Sequence, residues 1–344
     1  MKRLHILTLV SLTLAACIFF FKKRDATTIA AGQGLVIPKP WLKVNDKPVT
    51  PKADVRPADQ TFLTFPEWYL VFSPQEQADY YQYRTATTFP FMSHTAQIWE
   101  SYKSVNNQIK DDFPVNTGYH FMIWVIGSSA TAEYSVKALY ETLVGRMTDT
   151  EVPVTAEDEF NAVFTQQYVD FIKDAPWYQF NFKKQLKALY TDVPFTGSNI
   201  LRKLERRYIL TSELLVKWGY GKLIGLGTNQ VYETPLLTTA VVLSNDSLAY
   251  LPRYDKFTPA ATQLAEAGFT FKEVAGNNSA ILITILVPRD YQFETAGVTV
   301  VFTQPISSDR LQKRIALAVP IAALHTLLLQ LAREKIRIEH VFDF

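Results

Sequence analysis

Three patterns of apolar and polar residues succeed one another along the chain. The first is a run at 4–21, LHILTLVSLTLAACIFFF, that contains no Asp, Glu, Lys or Arg and is fenced by Lys2-Arg3 and Lys22-Lys23-Arg24. A helix needs about 20 apolar residues, and no fewer than about 17, to cross the hydrocarbon of a bilayer. This run supplies 18 residues, which predicts a single transmembrane helix within a membrane anchor over 1–24. A cleaved export signal has a similar basic start and apolar core. Leu14-Ala15-Ala16-Cys17 also has the form of a lipoprotein cleavage box, but the Ile18-Phe19-Phe20-Phe21 behind it is unusually apolar for a processed start. Basic flanks set orientation. Here they nearly balance, and the likeness to an export signal places the body outside the cytoplasm as a single-pass protein of the cell membrane.

Residues 25–60 carry Pro38, Pro40, Pro48, Pro51 and Pro57 with no period, the signature of an extended linker. The second pattern occupies 61–218, where apolar residues recur every three or four positions, as in helices. Thr64-Phe65-Pro66-Glu67 and Ser73-Pro74-Gln75-Glu76 both have the form of a capping box with proline at the first helical position. They predict short helices over 65–72 and 74–85. Further helices are expected from Ser93, over 117–147, 155–173 and 178–190, and from Ser198 to Trp218. In the last of these, Leu201, Leu204, Tyr208, Leu215 and Trp218 share an apolar stripe expected to face a core. That leaves Arg202, Lys203, Arg206 and Arg207 outward, as a solvated face or a contact for anionic headgroups or an acidic partner.

The glycines of GYGKLIGLG, at 219, 221, 225 and 227, follow a helix and lack the Lys-Ser/Thr that ends a phosphate loop. A helix C-cap and a hinge over 219–234 is the expectation. The third pattern, over 235–344, is strand-like, with strands at 237–243, 269–275, 280–287, 298–303, 313–319 and 336–342. The strands at 269–275 and 280–287 are expected to form a hairpin around Gly276-Asn277-Asn278, and helices start at Thr258-Pro259 and at Pro320, the latter with Ile321, Leu324, Leu327, Leu328 and Leu331 on its inner arc. The predicted fold class is α+β: a transmembrane helix, an aromatic-rich all-α domain, and a C-terminal α+β sandwich, ferredoxin-like or similar.

Composition narrows the chemistry. A net charge of +2 gives no field for nucleic acid. The sole cysteine, Cys17, lies in the apolar run, so the body has no disulfide or thiolate ligand. Phe and Tyr number 23 and 17, enough for a bulky core or an apolar pocket. Trp68, Tyr69, Trp99 and Trp124 are the candidate ligand contacts. Candidate acid–base residues are Glu67, His94 and His120. Glu67 reads first as a capping carboxylate and second as an acid raised by Trp68 and Tyr69. His120 and Glu133 are 13 residues apart, pointing about 220° apart around one helix. With no HExxH, neither a metal nor a cofactor is expected. His340 falls on the inner side of the last strand, opposite Asp343. The expectation is a membrane-anchored envelope protein that binds membrane lipid, an apolar ligand or a protein partner. The alternative is a tethered enzyme with a carboxylate or histidine acid–base, marked by a cleft that gathers Glu67, His94, His120 or Arg84.

Overall fold

The computed structural model describes residues 32, 33, 35–43, 47–57, 59–231 and 237–344. The expected anchor, residues 25–31 of the expected linker and residues 232–234 of the expected hinge lie outside the described residues. Strand β1 (Gly32–Gln33) precedes a run of helices: α1 (Gln60–Glu67), α2 (Tyr69–Tyr81), α3 (Phe91–Ile109), α4 (Thr117–Leu143), α5 (Ala156–Ile172), α6 (Phe182–Thr191) and α7 (Ile200–Val231). Then come β2 (Thr238–Leu243), β3 (Leu248–Pro252), α8 (Phe257–Glu266), β4 (Phe271–Val274), β5 (Ala280–Pro288), β6 (Thr299–Pro305), β7 (Gln312–Pro320), α9 (Ile321–Arg333) and β8 (Arg337–Val341). The fold is α+β, with two small antiparallel sheets ordered β1-β6-β7-β5-β8 and β3-β2-β4.

The larger sheet is covered on both faces, and the two-residue period of its strands divides it cleanly. Ala280, Leu282, Ala316 and Ala318 turn toward the helical half. Their neighbours Ile281, Ile283, Ile315, Leu317 and Val319 turn toward α8, α9 and the smaller sheet. The small alanines on the helical side leave room for rings: Phe65 of α1 meets Phe302 and Phe342 edge-on, with centroids 4.9 and 6.0 Å apart. One apolar core therefore runs from α1–α6 into β5, β6 and β7.

The structure departs from the sequence expectation in three places. Strands β4 and β5 are not partners. Gly276, at φ +80°, turns the chain so that Val274 and Asn277 exchange backbone hydrogen bonds of 2.9 and 2.8 Å. Strand β4 then stays with β2, while β5 enters the larger sheet between β7 and β8. The described part of the expected linker lies against the body, because it has apolar groups to bury and donors to satisfy. Ile37 and Leu42 are buried in the helical core. Val49 N, Thr50 N and Thr50 Oγ1 donate to the Glu273 carboxylate at 2.8–2.9 Å. Finally, α7 continues past Trp218 through Gly219, Gly221 and Gly225. A Cβ at Gly221 would lie 3.3 Å from the Tyr178 carbonyl oxygen, and one at Gly225 3.5 Å from the Tyr178 ring. These glycines let the helix approach the turn Trp177–Gln179 closely, so they do not act as a C-cap there.

Candidate functional site

The two capping boxes are not caps. Helix α1 starts five residues before the expected 65, so Thr64 lies inside it and its hydroxyl donates to the Gln60 carbonyl at 2.6 Å. Glu67 instead accepts a close hydrogen bond from the Tyr119 hydroxyl on α4. Burial raises the Glu67 carboxyl, and the Tyr119 bond opposes the rise. Ser73 lies within α2, where its Oγ shares hydrogen bonds with His94 Nδ1 (2.9 Å) and the Tyr134 hydroxyl (2.8 Å). His94 Nε2 sits 3.4 Å from Glu76 Oε2 without forming a hydrogen bond. Burial first, and Arg314 second, push the His94 pKa down to about 3. The imidazole is therefore neutral, and its approach to Glu76 is no ion pair. The Ser73–His94–Glu76 sequence of contacts has the elements of a nucleophilic triad, but Ser73 is 1% exposed. No substrate reaches its hydroxyl, so the arrangement is a buried strut.

Glu76 belongs to a second cluster, at the seam between the helical half and the larger sheet. Arg314 of β7 is 1% exposed. Its Nε and Nη2 donate to the two Glu339 carboxylate oxygens at 2.6 and 2.7 Å. Nη2 also reaches Glu76 Oε1 at 3.1 Å, and the guanidinium lies 4.3 Å from the Phe72 ring centroid. Ser308 donates to Glu76 Oε2 at 3.1 Å. Burial raises the Glu76 carboxyl, and Arg314 draws it back down. These groups line a cleft of about 560 Å³, walled by Trp68 and Phe72 and rimmed by Asp79, Arg84, Lys173, Asp255 and Arg337. Arg314 spends Nε and Nη2 on carboxylates of the protein and Nη1 on the Tyr69 hydroxyl and the Gln304 amide oxygen, so it clasps α2 to β7 and β8 and is no open anion receptor.

The expected site residues do not converge. Of Glu67, His94, His120 and Arg84, only Arg84 lines the cleft. His120 pairs with the Tyr102 hydroxyl at 2.8 Å, away from the neighbours of His94. Among the described residues, no group of three His, Cys, Asp or Glu is placed to hold a metal. Trp68 walls the cleft and packs on the buried His340, with ring centroids 4.2 Å apart. Tyr69 is in the core. Trp99 bonds Thr131 at 3.0 Å between α3 and α4, and Trp124 is 57% exposed.

Sequence reasoning also reversed the faces of α7. Its basic residues point inward. Arg202 is 2% and Arg206 1% exposed, whereas Leu201, Tyr208 and Leu223 are 73%, 65% and 69% exposed. Arg206 forks onto Glu141 of α4 at 2.8 and 2.9 Å, and Arg202 reaches Asp158 of α5 at 2.9 Å. Lys137 and Lys217 each contact Glu133 and Glu213 at 2.8–3.2 Å, closing a square of alternating charge between α4 and α7. Burial pushes Glu133 up, but Lys217 and Lys137 together hold it down at about 2. Helix α4 follows the same trend: Glu141 is buried, the Lys137 side chain is 13% and that of Glu133 37% exposed, while Phe121, Val136 and Leu143 stand 62–67% exposed. The helices run antiparallel, with Tyr140 stacked on Tyr208 at 6.2 Å. A sequence signal for this existed. Positions 133, 137 and 141 form one stripe, 202, 206, 213 and 217 form another, and their charges are complementary.

The chain matches no protein-family model, no curated protein and no solved structure.

Proposed function

We propose that the chain is a membrane-attached envelope protein whose work is binding or assembly, with its body outside the cytoplasm and the run at 4–21 as its attachment. One observation carries this reading: α4 and α7 bury their charged stripes and present apolar ones. Contiguous apolar surface of that kind marks a partner or a membrane. The rival reading, an enzyme with a carboxylate or histidine acid–base, draws less support. Glu67 is engaged by Tyr119, His94 is neutral and enclosed, and His120 is bound to Tyr102. Fractionation of cells tests the proposal. The intact chain is expected with the membranes, resistant to salt and alkaline washes and released by detergent. Recovery in the aqueous fraction, with the first residues removed, would overturn it.

A further inference from the structure

We infer that the outward faces of α4 and α7 seat in the acyl-chain region of the bilayer itself, and not against a protein. The inference rests on the membrane attachment proposed above and names the partner of that surface. No described helix is long and apolar enough to cross a membrane, so the pair lies along the bilayer boundary, as amphipathic helices do. Its outward stripe on α4 runs from Phe121 to Leu143, about 33 Å at 1.5 Å per residue.

Two features favour hydrocarbon over protein. The first is polar satisfaction. A protein interface presents roughly one hydrogen bond per 100–200 Å², whereas a surface in lipid must satisfy its polar groups internally. On α7, Ser212 Oγ donates back to the Tyr208 carbonyl at 2.8 Å, and Thr211 shares a hydrogen bond with the Tyr190 hydroxyl at 2.8 Å. Lys137, Lys217 and Arg206 pair with Glu213, Glu133 and Glu141 between the two helices, and Arg202 and Arg207 pair with Asp158 and Glu157 of α5. At opposite ends of the pair stand exposed Arg146, and Lys222 with Lys183 beside Trp218, at 4.7 and 5.8 Å from its ring. Basic and tryptophan side chains suit headgroup level.

The second feature is where the chain enters. Gln108, near the end of α3, accepts from Ile37 N at 3.1 Å and donates to the Leu35 carbonyl at 3.3 Å. The start of the described chain is thereby fixed beside the connection into α4. Residues 22–34 separate the apolar run from this point, at most about 45 Å of extended chain. An inserted run would hold the Phe121 end of α4 near the membrane surface.

The test uses the full chain in vesicles of phosphatidylcholine and phosphatidylglycerol, with and without bromine on the acyl chains. Trp124 is the one exposed tryptophan among the described residues, so the difference between wild type and Trp124→Phe isolates its emission. Leu204→Trp, read as an added signal, gives an independent answer from α7. Seating in lipid predicts that bromine quenches both signals and that aqueous acrylamide leaves them unchanged. Quenching by acrylamide alone would place the face in water. Quenching by neither reagent would mean a protein cover, a second copy included. Either result overturns the inference. Flotation of the same samples is read in parallel. A chain that does not float sinks the parent proposal, whereas a floating chain with unquenched signals sinks this one alone.

Discussion

Replacing Arg314 with methionine would strip the seam of the cation that clasps α2 to β7 and β8. Glu76 and Glu339 would remain, 8% and 11% exposed in their side chains. Removing one partner of a buried ion pair costs about 3–5 kcal/mol, mostly because the other charge is stranded. Here the loss is self-limiting. Burial already raises the Glu76 carboxyl and Arg314 is the main group opposing that rise, so the variant should take up a proton at Glu76. A carboxyl raised above its unfolded value favours the folded state at low pH and loses that benefit as pH rises through the folded pKa. The deficit of Arg314→Met should therefore be larger at pH 8 than at pH 5. Equilibrium denaturation of the detergent-solubilised chain at both values, followed by far-ultraviolet circular dichroism and by tryptophan emission, gives the numbers. The two probes should report one transition, since the helical core and the larger sheet share a packed interior. A variant within about 1 kcal/mol of wild type, or one equally weakened at both pH values, would refute the reasoning.

Further outcomes follow from the same structure. Arg206→Gln, which breaks the fork onto buried Glu141, should cost about 3–5 kcal/mol, whereas Leu201→Gln and Leu204→Gln should change stability by less than about 0.5 kcal/mol each. Thermal melts giving the reverse order would mean that α7 faces the other way. His94 is held neutral down to a pKa of about 3 against an ordinary 6.5, a difference on the order of 5 kcal/mol at 1.36 kcal/mol per unit. Its contribution is present above pH 6.5 and is lost as pH falls toward 3, because the unfolded chain takes up the proton first. His94→Gln should flatten that acid limb, and matching slopes would count against it. Gly276→Ala places a Cβ 3.0 Å from Val55 at a φ of +80°, so a loss of about 1–3 kcal/mol is expected, with faster proteolysis near 47–57. A silent substitution would mean that this segment is not held against the body.

Periodicity reads elements better than it reads faces. Thr155 opens α5 with its hydroxyl accepting from Asp158 N at 3.2 Å, and the arc Ile321, Leu324, Leu327, Leu328 and Leu331 is buried along α9, both as the spacing implies. The spacing of Leu201, Leu204 and Tyr208 marks a stripe equally well, but a stripe has no sign. Which side is inward depends on whether other helices bring carboxylates to the arginines, and Glu141 and Asp158 lie 44–65 residues from them. The capping boxes failed for a related reason. Thr64 and Ser73 each had a helix turn before them, so their hydroxyls went to Gln60 O and to His94. The seam cluster left no local trace, since Glu76, Arg314 and Glu339 meet only when α2 crosses the sheet.

The sheet that both halves share also dictates an order of events during synthesis. Helices α1–α6 leave the ribosome early, but the alanine-lined floor beneath Phe65 comes from residues 280–318 and its edge from Phe342. Until those residues emerge, Phe65 lacks the ring partners Phe302 and Phe342, and incomplete folds with exposed apolar surface aggregate. The floor beneath Phe65 is therefore complete only after residues 280–318 and Phe342 have been made.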